Sequence, residues 1–413
     1  MIFDFSLKKA TLIWVVSTTL SHALIVQPGE NIWHLAASIA TQIQSLSQCG
    51  LIALPGTSIT ISTSGAYCLS EDLISGKNIT IDASDVYLDL NGHTISNVLP
   101  LGSAIRMTQG QQRITIANGT IDSCLIGIDG SQNENVTISD VRISNVITGI
   151  GLQSTSNIFI SNISISQFND YGIILSECSY AQMKNCIIQN FTQPTVGTGY
   201  AFQARNQTAQ LVKLAISDCT AIGDQGSGSV AGFFINNLNT DPSIIVFKNC
   251  ISKNFNSYGF RCASENSSIP IICQNCTASN NLQAGFYISC SAGTFQNCIA
   301  NKNNIGFYGI GTVTPSTTGM NDCLLENCNA HDNVASGFDF TTVGPNNVVK
   351  NCLATNNNVG FNTASDNTAL YYFNTAIFNT TNNFSNTLGA FSAPINTMTG
   401  SREYGDNLRD ALS

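Results

Sequence analysis

The sequence predicts an all-β chain wound into a repetitive rod, and three observations carry that expectation. The first is a recurring phrase: Asn185-Cys186, Asp218-Cys219, Asn249-Cys250, Asn275-Cys276, Asn297-Cys298, Asn327-Cys328 and Asn351-Cys352. Asn91, Asn118, Asp140 and Asn162 hold the same place upstream, and the spacings run 27, 22, 22, 23, 33, 31, 26, 22, 30 and 24 residues. Self-similarity at such a period marks stacked structural units. The second is a Gly followed by Ile or Phe, nine to fourteen residues after that position in most repeats, from Gly127-Ile128 through Gly259-Phe260 to Gly360-Phe361. The third is apolar alternation with period two, as in Val136-Thr-Ile138 and Ile158-Phe-Ile160, which is strand and not helix spacing.

Taken from the N-terminus, Lys8 and Lys9 precede the apolar run 10–20 and then Ser21-His22-Ala23. A basic region, a short hydrophobic region and a small-x-small site are the layout of a secretory leader, expected over residues 1–23. The run is too short and too early interrupted by His22 for a membrane anchor, so the mature chain is expected to be exported without a transmembrane span. Residues 24–50 are expected to cap the rod, because Ile32, Leu35, Ile39, Ile43 and Leu46 recur at helical spacing. Such a helix would cover strand edges that otherwise invite aggregation.

The rod itself is expected over residues 51–375. In most repeats the inward residues lie two and four before the Asn, then one and three after it. The phase shift requires a tight bend at the Asn, a residue type that tolerates the left-handed conformation. Stacked Asn amides can also hydrogen-bond along the column. A unit of ~22 residues cannot bury its own apolar face, so it coils and stacks at ~4.8 Å, and eleven coils would give a rod of roughly 50 Å. Leucine-rich repeats have a similar period, but their Leu-x-x-Leu-x-Leu phrase is absent. Residues 376–413, where the repeat fades into Asn/Thr-rich sequence, are expected to form a far cap and polar tail.

Gly65-Ala-Tyr-Cys-Leu-Ser-Glu-Asp72 through Val86-Tyr-Leu-Asp-Leu-Asn-Gly-His-Thr-Ile95 resembles the first coils of right-handed parallel β-helix proteins, the group of pectate-lyase-like and NosD-like repeat domains. The resemblance covers about residues 50 to 375. It implies a single-stranded right-handed parallel β-helix of about eleven or more coils with an N-terminal capping helix. It specifies fold more than function, because this fold carries many activities and in some proteins none.

Composition narrows the function classes. Charged residues make up 10% of the 413, against roughly 25% in ordinary domains, and 47 Asn take much of their place. The 43% hydrophobic content excludes disorder, and a net charge of -9 argues against nucleic acid as a partner.

Individual residues are weighed in the same way. The Cys column reads as buried thiols acting as small hydrophobes and not as a metal site or disulfide staple, since parallel Cβ vectors disfavour the required dihedral. Cys273-Gln-Asn-Cys276 lacks the second pair that zinc would need, and no cofactor motif appears. The Phe column (Phe233, Phe260, Phe286, Phe307, Phe338, Phe361) follows the Gly and reads as core. Paired carboxylates for glycoside hydrolysis would recur at one offset in adjacent coils. Asp122, Asp129, Asp170, Glu177, Asp224 and Glu326 fall at different offsets. Asn239-Thr-Asp241 matches a polygalacturonase phrase without the partner phrases expected further on. His34, His93 and His331 stand at unrelated places, as solvated turn residues would.

The coils starting at Asn185 and Asp218 carry insertions in both halves, at 192–199, 203–210, 223–229 and 236–243, and another loop runs 311–319. Insertions on neighbouring coils often mark the working face of a solenoid. Ligand contact is therefore expected around Gln193, Arg205, Asn206 and Asp224. The expected function is a non-enzymatic, monomeric, exported scaffold binding a polysaccharide or cell-surface glycan, with no cofactor or metal. The alternative is a polysaccharide lyase, hydrolase or epimerase with a divergent site in the same loops, and a third reading is an accessory role like that of NosD.

Overall fold

The computed structural model describes residues 4–7, 10–13, 24–26, 50–51, 58–74, 76–96, 102–191, 199–206, 213–225, 229–237, 244–263, 270–311, 319–363, 370–385 and 397–399. The chain divides into two compact units, residues 1–51 and 52–413. In the first, strands Asp4–Leu7, Ala10–Ile13 and Leu24–Val26 form an antiparallel sheet. Of the expected leader only the first two of these strands are described, and the helix expected within 31–47 lies outside the described residues.

The second unit is a right-handed parallel β-solenoid of about twelve turns. Each turn passes through three faces in a fixed order. Face A holds strands such as Ser58–Ile61, Asn78–Ile81, Tyr258–Ala263 and Ala284–Ser289. Face B holds Gly65–Cys68, Val86–Asp89, Ile271–Gln274 and Thr294–Gln296. Face C holds Leu73–Ile74, Thr94–Ser96, Thr277–Ser279 and Ile299–Asn301. Every strand pairs in parallel with its equivalent one turn on, as in Phe260↔Phe286, Cys273↔Phe295 and Ala278↔Ala300.

In most of the described turns corners B–C and C–A are single residues. At B–C the expected column is present, from Asn91 (φ 52) through Asn118, Asp140, Asn162 and Asn185 to Asn351 (φ 54). Five residues further on comes a second left-handed column: Ser123, Asn145, Gln167, Asn190, Asn254, Asn280, Lys302, Asp332 and Asn356. One residue per corner reverses the inward phase without breaking the backbone pairing. Segments Gln112–Ser131 and Glu134–Gln153 accordingly run as continuous strand through all three faces.

Two amide ladders follow these corners. On the outside of B–C, Asn162 Nδ2 donates to Asp140 Oδ1 (3.0 Å), Asn185 to Asn162 (3.2 Å), Asn249 to Asp218 (2.9 Å) and Asn275 to Asn249 (3.1 Å). The second ladder is buried, directly after C–A, and the sequence reading did not anticipate it. Asn281 Nδ2 donates to Asn303 Oδ1 (2.9 Å), Asn303 to Asn333 (3.2 Å), Asn333 to Asn357 (2.9 Å) and Asn357 to Asn379 (3.1 Å). Each acceptor oxygen also takes the backbone N–H of the preceding Asn, at 2.9–3.0 Å. The amide nitrogens of Asn303, Asn333 and Asn357 further donate to the carbonyls of Ala278, Ala300 and Ala330. A network satisfied on every side is what allows amides to sit where an unpaired polar group would be costly.

Between the ladders the core is stacked by residue type. Phe202, Phe233, Phe260, Phe286, Phe307, Phe338, Phe361 and Phe384 form one column with ring centroids 4.6–5.0 Å apart and planes within 3–8°. The glycine before each of the middle members leaves room for the next turn, since a Cβ at Gly285 would lie 2.8 Å from the carbonyl oxygen of Gly306. The Cys column is buried, and its thiols contact backbone carbonyls, as Cys328 Sγ does with Phe295 O at 3.3 Å. Burial pushes the Cys298 and Cys328 thiols well up.

The rungs also run past residue 375, the expected end. Thr375–Ile377, Asn382–Ser385 and Thr397–Thr399 pair in parallel with the turns before them. The Asn signal stops because Phe373 and Phe378 take the two corner positions, left-handed and 57% and 62% exposed.

Two measurements test this account. Asn333→Ala removes the acceptor of two buried Asn303 donors and should cost about 2–5 kcal/mol in urea unfolding. Asn275→Ala, on the exposed ladder, should cost about 1 kcal/mol; equal losses would mean the buried ladder has no special role. Cys250, Cys276 and Cys328 should resist iodoacetamide in the native protein and react after denaturation, and Cys276→Ser should cost about 1–3 kcal/mol.

Candidate functional site

Faces B and C are joined by single-residue corners, so the insertions gather on face A. Segments 192–198 and 226–228 precede its strands Gly199–Asn206 and Ser229–Asn237, and segments 207–212, 238–243, 264–269 and 312–318 follow strands of the same face. These segments lie outside the described residues.

Of the expected contact residues, Gln193 is likewise outside the described residues. Arg205 stands near the A–B end of its strand, exposed, with Nε donating to Ser176 Oγ at 3.1 Å. Asn206 ends the same strand, in register with Asn237. Asp224 is exposed and follows Gly223 at the C–A corner, which is rebuilt in this turn so that Gln225 carries the left-handed φ of 60. Arg205 and Asp224 therefore mark opposite margins of face A, and a strand of this length separates such margins by roughly 20 Å. The structure does not gather these residues into one cluster.

What lies between the margins is a column of outward side chains that the sequence reading passed over. In register along the rod stand Gln203, Phe234, Arg261, Tyr287, Tyr308, Asp339 and Asn362. A second outward column holds Tyr171, Tyr200, Ala231 and Tyr258. Tyr200 stacks on Phe234 (4.5 Å) and on Tyr171 (6.1 Å), and Tyr258 meets Tyr287 at 4.8 Å. The Arg261 guanidinium lies 4.6 Å from the Phe234 ring centre, 5.5 Å from Tyr287 and 5.9 Å from Tyr258, a cation held by aromatic faces. Tyr200, Phe234 and Ala231 form an apolar cluster separate from the core. Although outward, Tyr200 (8%), Gln203 (7%) and Phe234 (4%) are each less than a tenth exposed. Gln203 Oε1, Asn236 Oδ1 and Arg261 Nε are buried atoms without a hydrogen-bond partner.

Carboxylates do not converge here. Within the described face A strands they are Asp129, Asp170 and Asp339, no two of them in adjacent turns; burial raises the Asp170 carboxyl beside Tyr171, and Asp339 accepts Asn362 Nδ2 at 3.2 Å. Glu326, on face B, is bound by Lys350 (2.9 Å) and Gln296 (3.0 Å), and Asp122 takes Ser144 Oγ (2.6 Å) and Asn145 Nδ2 (2.7 Å). A hollow of about 250 Å³ near the C–A corner, lined by Cys124, Asn145, Val146, Ile147, Gln167 and Asn169, carries no charged side chain. No helix among the described residues is long and apolar enough to cross a membrane.

Burial raises the ionisation of Tyr171, Tyr258 and Tyr308 above the ordinary tyrosine range, with Asp339 adding to the effect at Tyr308. The stabilisation from their neutral phenols is complete below the unfolded pKa of about 10 and is lost as pH rises through the higher folded values. Tyrosinate absorbance should therefore lag in the native protein relative to the urea-unfolded chain above pH ~10; coincident titration curves would place these rings in open solvent.

The sequence over residues 77–238 matches the family model for the right handed beta helix region. No curated protein is found similar in sequence. Among solved structures, the catalytic domain of a GH87 alpha-1,3-glucanase is similar at 11% identity, TM-score 0.45, over 85% of this chain and 62% of that one. The chain thus spans less than two thirds of the glucanase domain. The mannuronan C-5 epimerase AlgE6 A-module of Azotobacter vinelandii is similar at 13% identity, TM-score 0.40, over 89% and 94%. PfbA, a surface adhesin of Streptococcus pneumoniae, is similar at 13% identity, TM-score 0.42, over 86% and 89%. Residues 77–238 thus match the right-handed β-helix repeat, and the fold of the second unit is the right-handed parallel β-helix.

Proposed function

We propose that this chain is an exported, non-enzymatic β-helix scaffold that binds a polysaccharide or cell-surface glycan along the outer side of face A, acting as a monomer. One observation carries the reading: aromatic side chains and an arginine line the outside of face A in the turns bordered by the longest insertions. Rings such as Tyr287 and Tyr308 offer flat surfaces to the C–H faces of sugars, and their phenols supply polar tips. Arg205 and Asn206 would contact the ligand at one margin and Asp224 at the other, with Gln193 as a further proposed contact. The described strands of face A hold no carboxylate pair in adjacent turns, which favours binding over the alternative of a hydrolase, lyase or epimerase.

A glycan array run beside a reducing-sugar assay and a 235-nm screen for unsaturated products tests both readings. The expected outcome is retention of one glycan class with no product formed. Tyr287→Ala together with Tyr308→Ala should weaken that retention by about tenfold or more while leaving melting nearly unchanged. Product formation from any polysaccharide would establish the enzymatic alternative.

A further inference from the structure

The outer side of face B carries lysines and apolar side chains that the glycan reading leaves unused. In six consecutive turns its strands are Ser156–Ser161, Tyr180–Lys184, Lys213–Ser217, Ile244–Lys248, Ile271–Gln274 and Thr294–Gln296. They hold Lys184, Lys213 and Lys248, all exposed, and no carboxylate, in a chain with 25 acidic residues against 16 basic ones. Lys184 and Lys248 stand two turns apart in one outward column, through Ser217, and Lys213 lies at the far edge of the turn between them. Among the described residues none of the three enters an ion pair, unlike Lys350 further along the face, which Glu326 holds at 2.9 Å. Apolar groups fill the space between the lysines. Tyr180, Lys213 and Ile244 form one outward column, and Phe159, Gln182, Ala215 and Val246 the next. Tyr180 and Ile244 are each 46% exposed, and Phe159 is 37% exposed.

The lysines call for a negative partner, and the rings and branched chains between them call for an apolar one. A bilayer with anionic headgroups presents both within about 10 Å of its surface. An acidic polymer would satisfy the lysines and leave Tyr180 and Ile244 in water. A second copy related by a two-fold axis would set these lysines against their own equivalents. A stable protein complex buries ~800 Å² on each side, whereas strand geometry makes this stretch about 24 Å by 13 Å, roughly 300 Å² in projection. The excess negative charge elsewhere on the rod is screened over a Debye length of ~10 Å, so the groups on the face itself govern contact.

We infer that these six turns of face B dock the rod onto an anionic lipid bilayer, lying on its surface without spanning it. Face A is a separate side of the rod, so the inference stands or falls independently of glycan binding. Co-sedimentation of the full chain with vesicles of phosphatidylcholine mixed with phosphatidylglycerol, and with vesicles of phosphatidylcholine alone, tests it. Retention is expected on the anionic vesicles only, weakening as sodium chloride is raised. Each lysine near such a surface contributes about fivefold, so Lys184→Gln, Lys213→Gln and Lys248→Gln together should weaken retention about a hundredfold. Lys350→Gln, whose charge Glu326 already offsets, should leave it nearly unchanged. Tyr180→Ser with Ile244→Ser should weaken it about tenfold or more. Should circular dichroism show the triple variant unfolded, Lys213→Gln alone should still weaken retention about fivefold. Equal retention on both kinds of vesicle, or on neither, would overturn the inference. So would retention untouched by the Tyr180 and Ile244 changes, which would mark a site for acidic polymers. Self-association in sedimentation velocity that those two changes abolish would assign the face to a second copy instead.

Discussion

The spacing between hydrogen-bonded parallel strands, ~4.8 Å, is the constraint to which every other feature of the rod conforms. Once each turn pairs with the next through its backbone, every inward side chain has an equivalent one strand spacing above and below. Phenylalanine suits that repeat because flat rings stack at 4.6–5.0 Å with nearly parallel planes. Asparagine suits it because an amide can donate upward and accept downward over the same distance. Glycine is required beside the rings because face A backbones approach so closely that a Cβ at Gly259 would sit 2.7 Å from the carbonyl oxygen of Gly285. Columns of like residues are thus one consequence of a fixed rise and not separate inventions.

Legibility of the fold followed how strongly each position constrains its residue. The B–C corner was readable because it demands a left-handed residue and also places that residue's amide in a ladder, so Asn and Asp recur. The C–A corner has the same backbone but accepts Ser, Gln, Lys and Phe along with Asn, and a column of mixed identity does not announce itself. The buried ladder escaped for a different reason. Asn280-Asn281 and Asn356-Asn357-Asn358 read as polar turns, whereas the second residue of each phrase points into the core. At the far end, Phe373 and Phe378 in corner positions broke the pattern although the turns themselves continued.

The candidate site was legible in position and not in composition. Insertions pointed to the turns that carry the proposed site, but of the residues singled out in or near them Arg205 and Asp224 stand at opposite margins of face A. A usable signal lay one residue past each core Phe, where alternation turns the side chain outward: Phe234, Arg261, Tyr287, Tyr308, Asp339 and Asn362. The aromatic ones were easily absorbed into the core by type alone, since Phe233-Phe234 and Phe286-Tyr287 look like continuous apolar sequence. Register, which sequence conveys only through alternation, decides which member of each pair is buried in the core.

A rod of this kind is also suited to holding groups that a globular core would exclude. Its stability is close to a sum of nearest-neighbour terms between turns, so the cost of an unpaired Gln203 or Asn236 falls on its own turn and the two beside it. The stacked rings and the buried amide ladder extend through many further turns, and their contacts do not depend on what face A carries outside. Outward aromatics can accumulate on that face because the inward columns pack independently of it, turn by turn. The same independence explains why the two faces bounded by single-residue corners stay regular: a residue added at such a corner would shift register in a ladder that runs along the rod, whereas a residue added beside face A lengthens only its own loop.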